Sequence, residues 1–421
     1  MSGKEKIKKI FNHQEGEIPI DFGASAVTGM HVSVVAALRK HYGLGENPVK
    51  VIEPYQMLGL VDEDLKQILG IDVDGIWAPK TMFGFTAESW KEWTTPWNQQ
   101  VLVPEEFNTT PEPGGDILIY PEGDTSAPPS GRMPGNGYFF DTIIRQESFN
   151  EDDLDPEDNL EEFGRIGEND LDYYRNFTGS YAENQRAILA NFGGTGLGDI
   201  ALVPAPGMKY PKGIRDITEW YISTVSRREY LHEIFARQTD IALYNLEKIY
   251  TAIGDSIDAV FICGTDFGTQ SSSFCSPETF DTLYAPYYRK MNDWIHSNTG
   301  WKTFKHSCGA VESFMSHFID AGFDIINPVQ VSASGMDPVV LKEKYGADLV
   351  FWGGGIDTQK TLPFGTPEDV REEVLSRCEV LGKNGGFVFN AVHNVQAKTP
   401  VNNLIAMFEA VREYNGSSNF R

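Results

Sequence analysis

From Asp258 onward the chain repeats one unit: a short apolar run, a polar tip, then a helical stretch. The runs are Asp258 to Ile262, Trp301 to His306, Ile325–Ile326, Leu349 to Trp352 and Gly386 to Phe389. The helical patterns between and after them cover Pro277 to Ser297, Val311 to Ala321, Pro338 to Tyr345, Pro367 to Leu381 and Pro400 to Tyr414, and Arg228 to Ile253 precedes the first run. Three open with Pro behind Ser or Thr (Ser276–Pro277, Thr366–Pro367, Thr399–Pro400), a helix-start signal because proline needs no hydrogen-bond donor in the first turn. Strand–helix alternation on this scale demands a parallel sheet, since only a crossover helix returns the chain to the same end. Ile18 to Gly23, Asp72 to Ala78 and Ile200 to Val203 supply the earlier strands. About eight strands in all predict a closed (β/α)8 TIM barrel rather than an open sheet.

One stretch breaks the period. From about Phe83 to Tyr138, Trp90, Trp93 and Trp97 alternate with polar residues, and Pro and Gly recur every few positions. This texture predicts a β-rich insertion, either the core of a small subdomain or a cap for an apolar substrate. The acidic run Glu147 to Asp172, with Arg165 its sole basic residue, reads as a loop or a solvated helix face. The whole of 1–421 is expected to be a single barrel domain with a β-rich and acidic segment inserted at about 83–175.

Composition removes several functions. A net charge of −25 excludes a nucleic-acid partner, which needs a basic face. No run is long and apolar enough for a membrane span, and Met1 to Ile10 lacks the apolar core of a signal peptide. The four cysteines, Cys263, Cys275, Cys308 and Cys378, form no CxxC pair, so a reducing cytoplasm is expected.

In a barrel, residues just past each strand share one rim. Reading them off gives Asp21, Thr28 and His31; Asp266 and Gln270; His306 and Cys308; Asn327 and Gln330; Trp352 and Asp357; and Asn390 and His393. His306 and Cys308 lie two apart on one face of a strand end. Singly, Asp266 reads better as a helix cap and His393 as a satisfied loop histidine; their joint placement at strand ends is what favours a site. A His, a Cys and a third N, S or O donor suit zinc better than the oxygen-seeking magnesium or calcium. We therefore expect His306, Cys308 and His393 as metal ligands, with Asp266 as the other candidate to complete the set. Asp266 and His393 are the expected catalytic groups. Substrate contacts are expected from Asp21, His31, Gln270, Asn327, Gln330, Trp352, Asp357 and Asn390.

The residues His306-Ser307-Cys308-Gly309, Ala321 to Asp324, Gly353 to Asp357, Leu362 to Val370 and Lys398 to Asn403 resemble the uroporphyrinogen decarboxylase superfamily, specifically its cobalamin-dependent methyltransferase branch. The resemblance implies a (β/α)8 barrel. It also implies zinc held by a His-x-Cys pair and a later Cys, and a methylated corrinoid (methylcobalamin) supplied by a partner corrinoid protein. Methyl groups would move between that corrinoid and a small thiol, folate or methoxylated compound. Where the branch has its later Cys, six residues before Thr399, this chain has His393. The decarboxylases proper carry a histidine near this point, and they hold polyanionic porphyrinogens through arginines after the first strand. Here residues 23–38 contain neither Arg nor Lys, which ranks decarboxylation second. A non-catalytic member that docks a corrinoid protein is the third reading, and a homodimer is a possible assembly.

Overall fold

The computed structural model describes residues 1–45, 47–181 and 184–416. Seven strands form one all-parallel sheet in sequence order: β1 (Val73–Ile76), β2 (Ala187–Ala190), β3 (Ala259–Cys263), β4 (Lys302–His306), β5 (Ile325–Asn327), β6 (Val350–Trp352) and β7 (Phe387–Val388). Residues 18–22 close the ring. The Asp21 amide donates to Phe389 O at 3.0 Å and the Phe389 amide to Pro19 O at 2.8 Å. On the other edge the Asp72 amide donates to Ile20 O at 2.8 Å. The fold is therefore a TIM-barrel-like α/β architecture with a β-rich insertion, as the alternation requires.

Two apolar layers hold it. Val73, Leu189, Phe304, Ile325, Val350, Trp352 and Val388 fill the barrel interior, and Ile7 and Ile10 of the N-terminal helix Gly3–Phe11 plug it from below. A larger layer, including Leu246, Phe280, Tyr288, Leu341, Val374 and Phe408, packs the surrounding helices on the outer face of the strands. Strand alternation sorts one segment between both layers: Phe304 and His306 point inward, Thr303 and Lys305 outward.

One expected strand is misplaced. Ile200 to Val203 is a turn, and the barrel strand is Ala187–Ala190. Asp199 explains the turn: its carboxylate accepts the Ala201 amide at 3.0 Å, and its carbonyl accepts the Leu202 and Val203 amides. Such local bonds compete with a sheet ladder.

The insertion is less self-contained than its texture suggests. Its hairpin Trp90–Thr94 and Gln100–Pro104 pairs, through the second strand, in parallel with Val49–Glu53, a strand contributed from outside the 83–175 segment. A second antiparallel sheet joins Thr109–Pro111, Ile117–Ile119, Gly131–Met133 and Asp141–Thr142. The acidic run holds two short 3-10 turns and the start of helix Glu168–Ser180. Among the described residues no helix is long and apolar enough to cross a membrane.

Candidate metal centre at the barrel mouth

The carboxyl ends of β4 and β7 place three donors together. His306 is the last residue of β4, Cys308 stands in the turn behind it, and His393 follows β7. One ligand atom from each lies within 4.8 Å of the others. Cys308 Sγ is 3.3 Å from His306 Nε2, and the two imidazole centroids are 5.4 Å apart.

The turn that brings Cys308 round depends on two glycines. A Cβ on Gly309, whose φ is +90°, would sit 2.3 Å from the carbonyl carbon of Gly268, and a Cβ on Gly268 would sit 2.6 Å from the Ala310 amide nitrogen. The loops after β3 and β4 thus touch backbone to backbone, sealed by the Ala310 amide donating to Thr269 O at 2.8 Å. That contact puts Asp266 beside the triad. Its Oδ1 accepts the Cys308 amide at 2.6 Å and lies 3.7 Å from His306 Nε2.

Asn327 sets the state of His306. Its Nδ2 donates to Trp352 O at 2.7 Å, which fixes the amide so that Oδ1 faces His306 Nδ1 at 2.6 Å. An acceptor there requires Nδ1 to carry the hydrogen, leaving the Nε2 lone pair toward Cys308 and His393. Burial pushes both His306 and His393 down to about 4, so both rings are neutral at physiological pH. Burial, then the Asp266 carboxylate, pushes the Cys308 thiol well above its ordinary value. Two neutral imidazoles and a thiol that only a cation would ionise form a donor set matched to zinc.

Most of the expected substrate residues support this centre. Gln330 accepts the Gly309 amide at 2.7 Å and donates to Gln270 at 3.1 Å, bracing the Cys308 turn. Below the triad, buried Trp352 donates from Nε1 to Asp21 at 2.9 Å, and Asn390 donates to Asp21 O at 2.6 Å. Burial raises Asp21 to about 6. Two residues do not reach the triad. His31 caps helix Val32–His41 through the Ser33 amide, and its Nε2 bonds Tyr138 O of the insertion at 2.9 Å. Asp357 caps a turn, accepting the Gln359 and Lys360 amides.

Three neighbours carry no motif in the sequence. Lys305 is fully buried behind the strand, with Nζ donating to Thr265 O at 2.6 Å and to His306 O, and it stands over the Phe267 ring. Asp199 is raised to about 6 by burial and then by Asp266. Tyr221, on helix Ile217–Ser226, stacks on Phe274 of the loop after β3 that also carries Asp266. Alternation in Thr303–Phe304–Lys305 hinted at Lys305; nothing local marked the other two.

A barrel with such a mouth defines a class of α/β enzyme scaffolds rather than one chemistry. Residues 210–414 match the uroporphyrinogen decarboxylase (URO-D) family, a span that contains Asp266, His306, Cys308 and His393. The structure also aligns with a methyltransferase from Methanosarcina mazei over 98% of this chain and 99% of that chain, at 15% identity and a TM-score of 0.53. At that identity the likeness speaks for the shared fold. An endo-glycoceramidase II from Rhodococcus sp. aligns over 56% of this chain and 62% of that one, at 12% identity and a TM-score of 0.31, too distant to bear on this protein. No curated protein matches the chain.

Proposed function

We propose that the protein is a zinc-dependent methyltransferase that moves a methyl group between a small substrate and a corrinoid carried by a partner protein. The observation that carries the reading is the neutral N, N, S donor set of His306, His393 and Cys308 at the carboxyl ends of the strands. The URO-D match over 210–414 and the fold shared with a protein named as a methyltransferase support it. His306 through Nε2, Cys308 through Sγ and His393 would hold the metal. When bound, zinc supplies Lewis acidity that lowers the pKa of a thiol or polarises an ether oxygen. Asn327 keeps the His306 lone pair directed at the site, and Asp266 fixes the Cys308 turn by accepting its amide. Three protein donors leave the fourth position of a tetrahedral site for substrate.

The URO-D match favours a second reading, decarboxylation of a tetrapyrrole. Against it, residues 23–38 supply neither Arg nor Lys for a polycarboxylate, and the mouth carries Asp199 and Asp266. Zinc analysis separates the two, because the metal is central to the first reading alone. Purified protein is expected to hold zinc near one equivalent and to exchange methyl with cobalamin. Cys308→Ala should lower zinc content and cut methyl transfer by roughly 100-fold or more. Cys378→Ala, in helix Pro367–Gly382, should leave the metal in place. Full methyl transfer by metal-stripped Cys308→Ala protein would end the proposal.

A further inference from the structure

The His393 ring meets the His306 ring at 5.4 Å and hydrogen-bonds to none of the described residues, so its place is inherited from its backbone. The next residue, Asn394, is fully buried and commits both of its amide protons. Its Oδ1 accepts the Gly29 amide at 2.6 Å, and its Nδ2 donates to Ala26 O at 2.7 Å and to Gln56 Oε1 at 2.8 Å. The amide has one orientation, because the Gly29 N–H can only donate and the Ala26 carbonyl can only accept. Gln56 closes the ring by donating from Nε2 to Ala26 O at 3.1 Å. Its own backbone is held by Glu53, whose carboxylate accepts the Tyr55 and Gln56 amides at 2.9 and 2.8 Å. Gly29 gives Asn394 its room: a Cβ there would stand 2.9 Å from Leu58 Cδ1 and 3.5 Å from Asn394 Oδ1. Backbone bonds continue the seam, with the Val395 amide donating to Gly29 O at 3.0 Å and the His31 amide to Val395 O at 2.9 Å. The loop after β7 is thus fastened to residues 26–31 at the position next to His393.

We propose that Asn394 is a positioning residue of the metal centre, holding His393 where its imidazole completes the donor set of His306 and Cys308. The proposal rests on the zinc reading of that triad and adds a residue that acts on the site through its neighbour. His306 and Cys308 sit on or directly behind β4, whose ladder orders them before any ion arrives. His393 comes from a loop, five residues past the last residue of β7, and has no ladder of its own. A donor on a free loop has to be ordered when the ion binds, and that entropy is subtracted from affinity; a donor fixed beforehand escapes the loss. The Asn394 amide provides the fixing, with three hydrogen bonds in a buried setting where each is strong. Gln56 and Glu53 extend it outward, so residues more than three hundred positions upstream help to place a metal ligand.

A double-mutant cycle on the full chain tests this, with zinc alone as the probe and affinity read by competition with chelators of graded strength. Asn394→Ala is expected to weaken zinc about 10–100-fold, the usual cost of losing a group that orients a metal ligand. Made in a His393→Ala chain, the same change should cost under about 3-fold, because the ligand it positions is already gone. The urea midpoint of the metal-free protein should fall equally in both backgrounds, which separates positioning from general loosening. Gln56→Met, at a half-buried site, removes only the outer partner and should weaken zinc about 3-fold beside His393 and leave it unchanged beside Ala at that position. If Asn394→Ala does not fold, Gln56→Met is read alone. Equal loss of affinity in both backgrounds, or no loss from either variant, would overturn the assignment. Zinc bound as tightly by His393→Ala as by wild type would overturn it and leave His306 and Cys308 as the metal pair. Wild-type protein that binds no zinc would overturn both this assignment and the zinc reading.

Discussion

At the scale of single residues, the centre is governed by hydrogen bonds one layer behind the donors. Asn327 Oδ1 can only accept and its Nδ2 is committed to Trp352 O, so it acts as a tautomer lock on His306. Groups of this kind orient a metal-binding imidazole and raise its basicity, and losing one typically weakens metal affinity about 10–100-fold. Asn327→Ala should therefore weaken zinc binding within that range, read by competition with a chelator, while the circular dichroism spectrum is retained. Unchanged affinity would show that His306 is held by packing alone.

At the scale of elements, the opposite end of the barrel is where stability is stored. Asp324, at the entry to β5, accepts from His296 at 2.7 Å, Lys302 at 2.9 Å and the Thr303 amide at 2.8 Å, tying helix Ala285–Asn298 and β4 to β5. Burial alone would raise its pKa, but these donors outweigh burial and hold it at about 2. A carboxylate depressed in the folded state stabilises above its unfolded pKa, and that contribution is lost as pH falls through the folded pKa. A shift from 3.8 to about 2 corresponds to about 2 kcal/mol, reduced somewhat because the side chain is 18% exposed. Asp324→Asn should cost about 1–2 kcal/mol in urea unfolding at pH 6, with the gap to wild type closing between pH 4 and pH 2. A gap that stays constant with pH would mean that the carboxylate charge is irrelevant.

At the scale of the whole molecule, the barrel depends on how tightly the first loop lies against β1. A Cβ on Gly75 would come within 2.1 Å of Ala24 O, so closure requires glycine here. Gly75→Ala should destabilise the protein by about 3 kcal/mol, the upper end of the usual overpacking range, measured as a lower urea midpoint. Because Ala24 lies between the closing segment 18–22 and Thr28, the same variant should loosen the floor where Asn390 bonds Asp21 and Thr28. A wild-type midpoint would show that the loop can shift aside freely.

Periodicity and spacing determined a good deal by themselves. The Pro-opened helices and short apolar runs after Asp258 left only a parallel sheet, because a polar tip followed by a helix has one way back. His306 and Cys308 were legible because their spacing is local. His393 and Asp266 were legible because strand ends in a barrel converge. The tertiary structure decided what local pattern cannot encode. Ala187–Ala190 gave a weak signal beside Ile200 to Val203, until the Asp199 turn took the latter out of the sheet. His31 occupies a rim position, yet Tyr138, more than a hundred residues away, draws its ring into the insertion. Tyr221 has no neighbours in sequence that mark it; only the packing of helix Ile217–Ser226 against the loop of Phe274 and Asp266 gives its ring a setting. A strand's period is fixed by residues two apart, whereas a side chain's chemical environment is fixed by whatever the closed barrel brings near it.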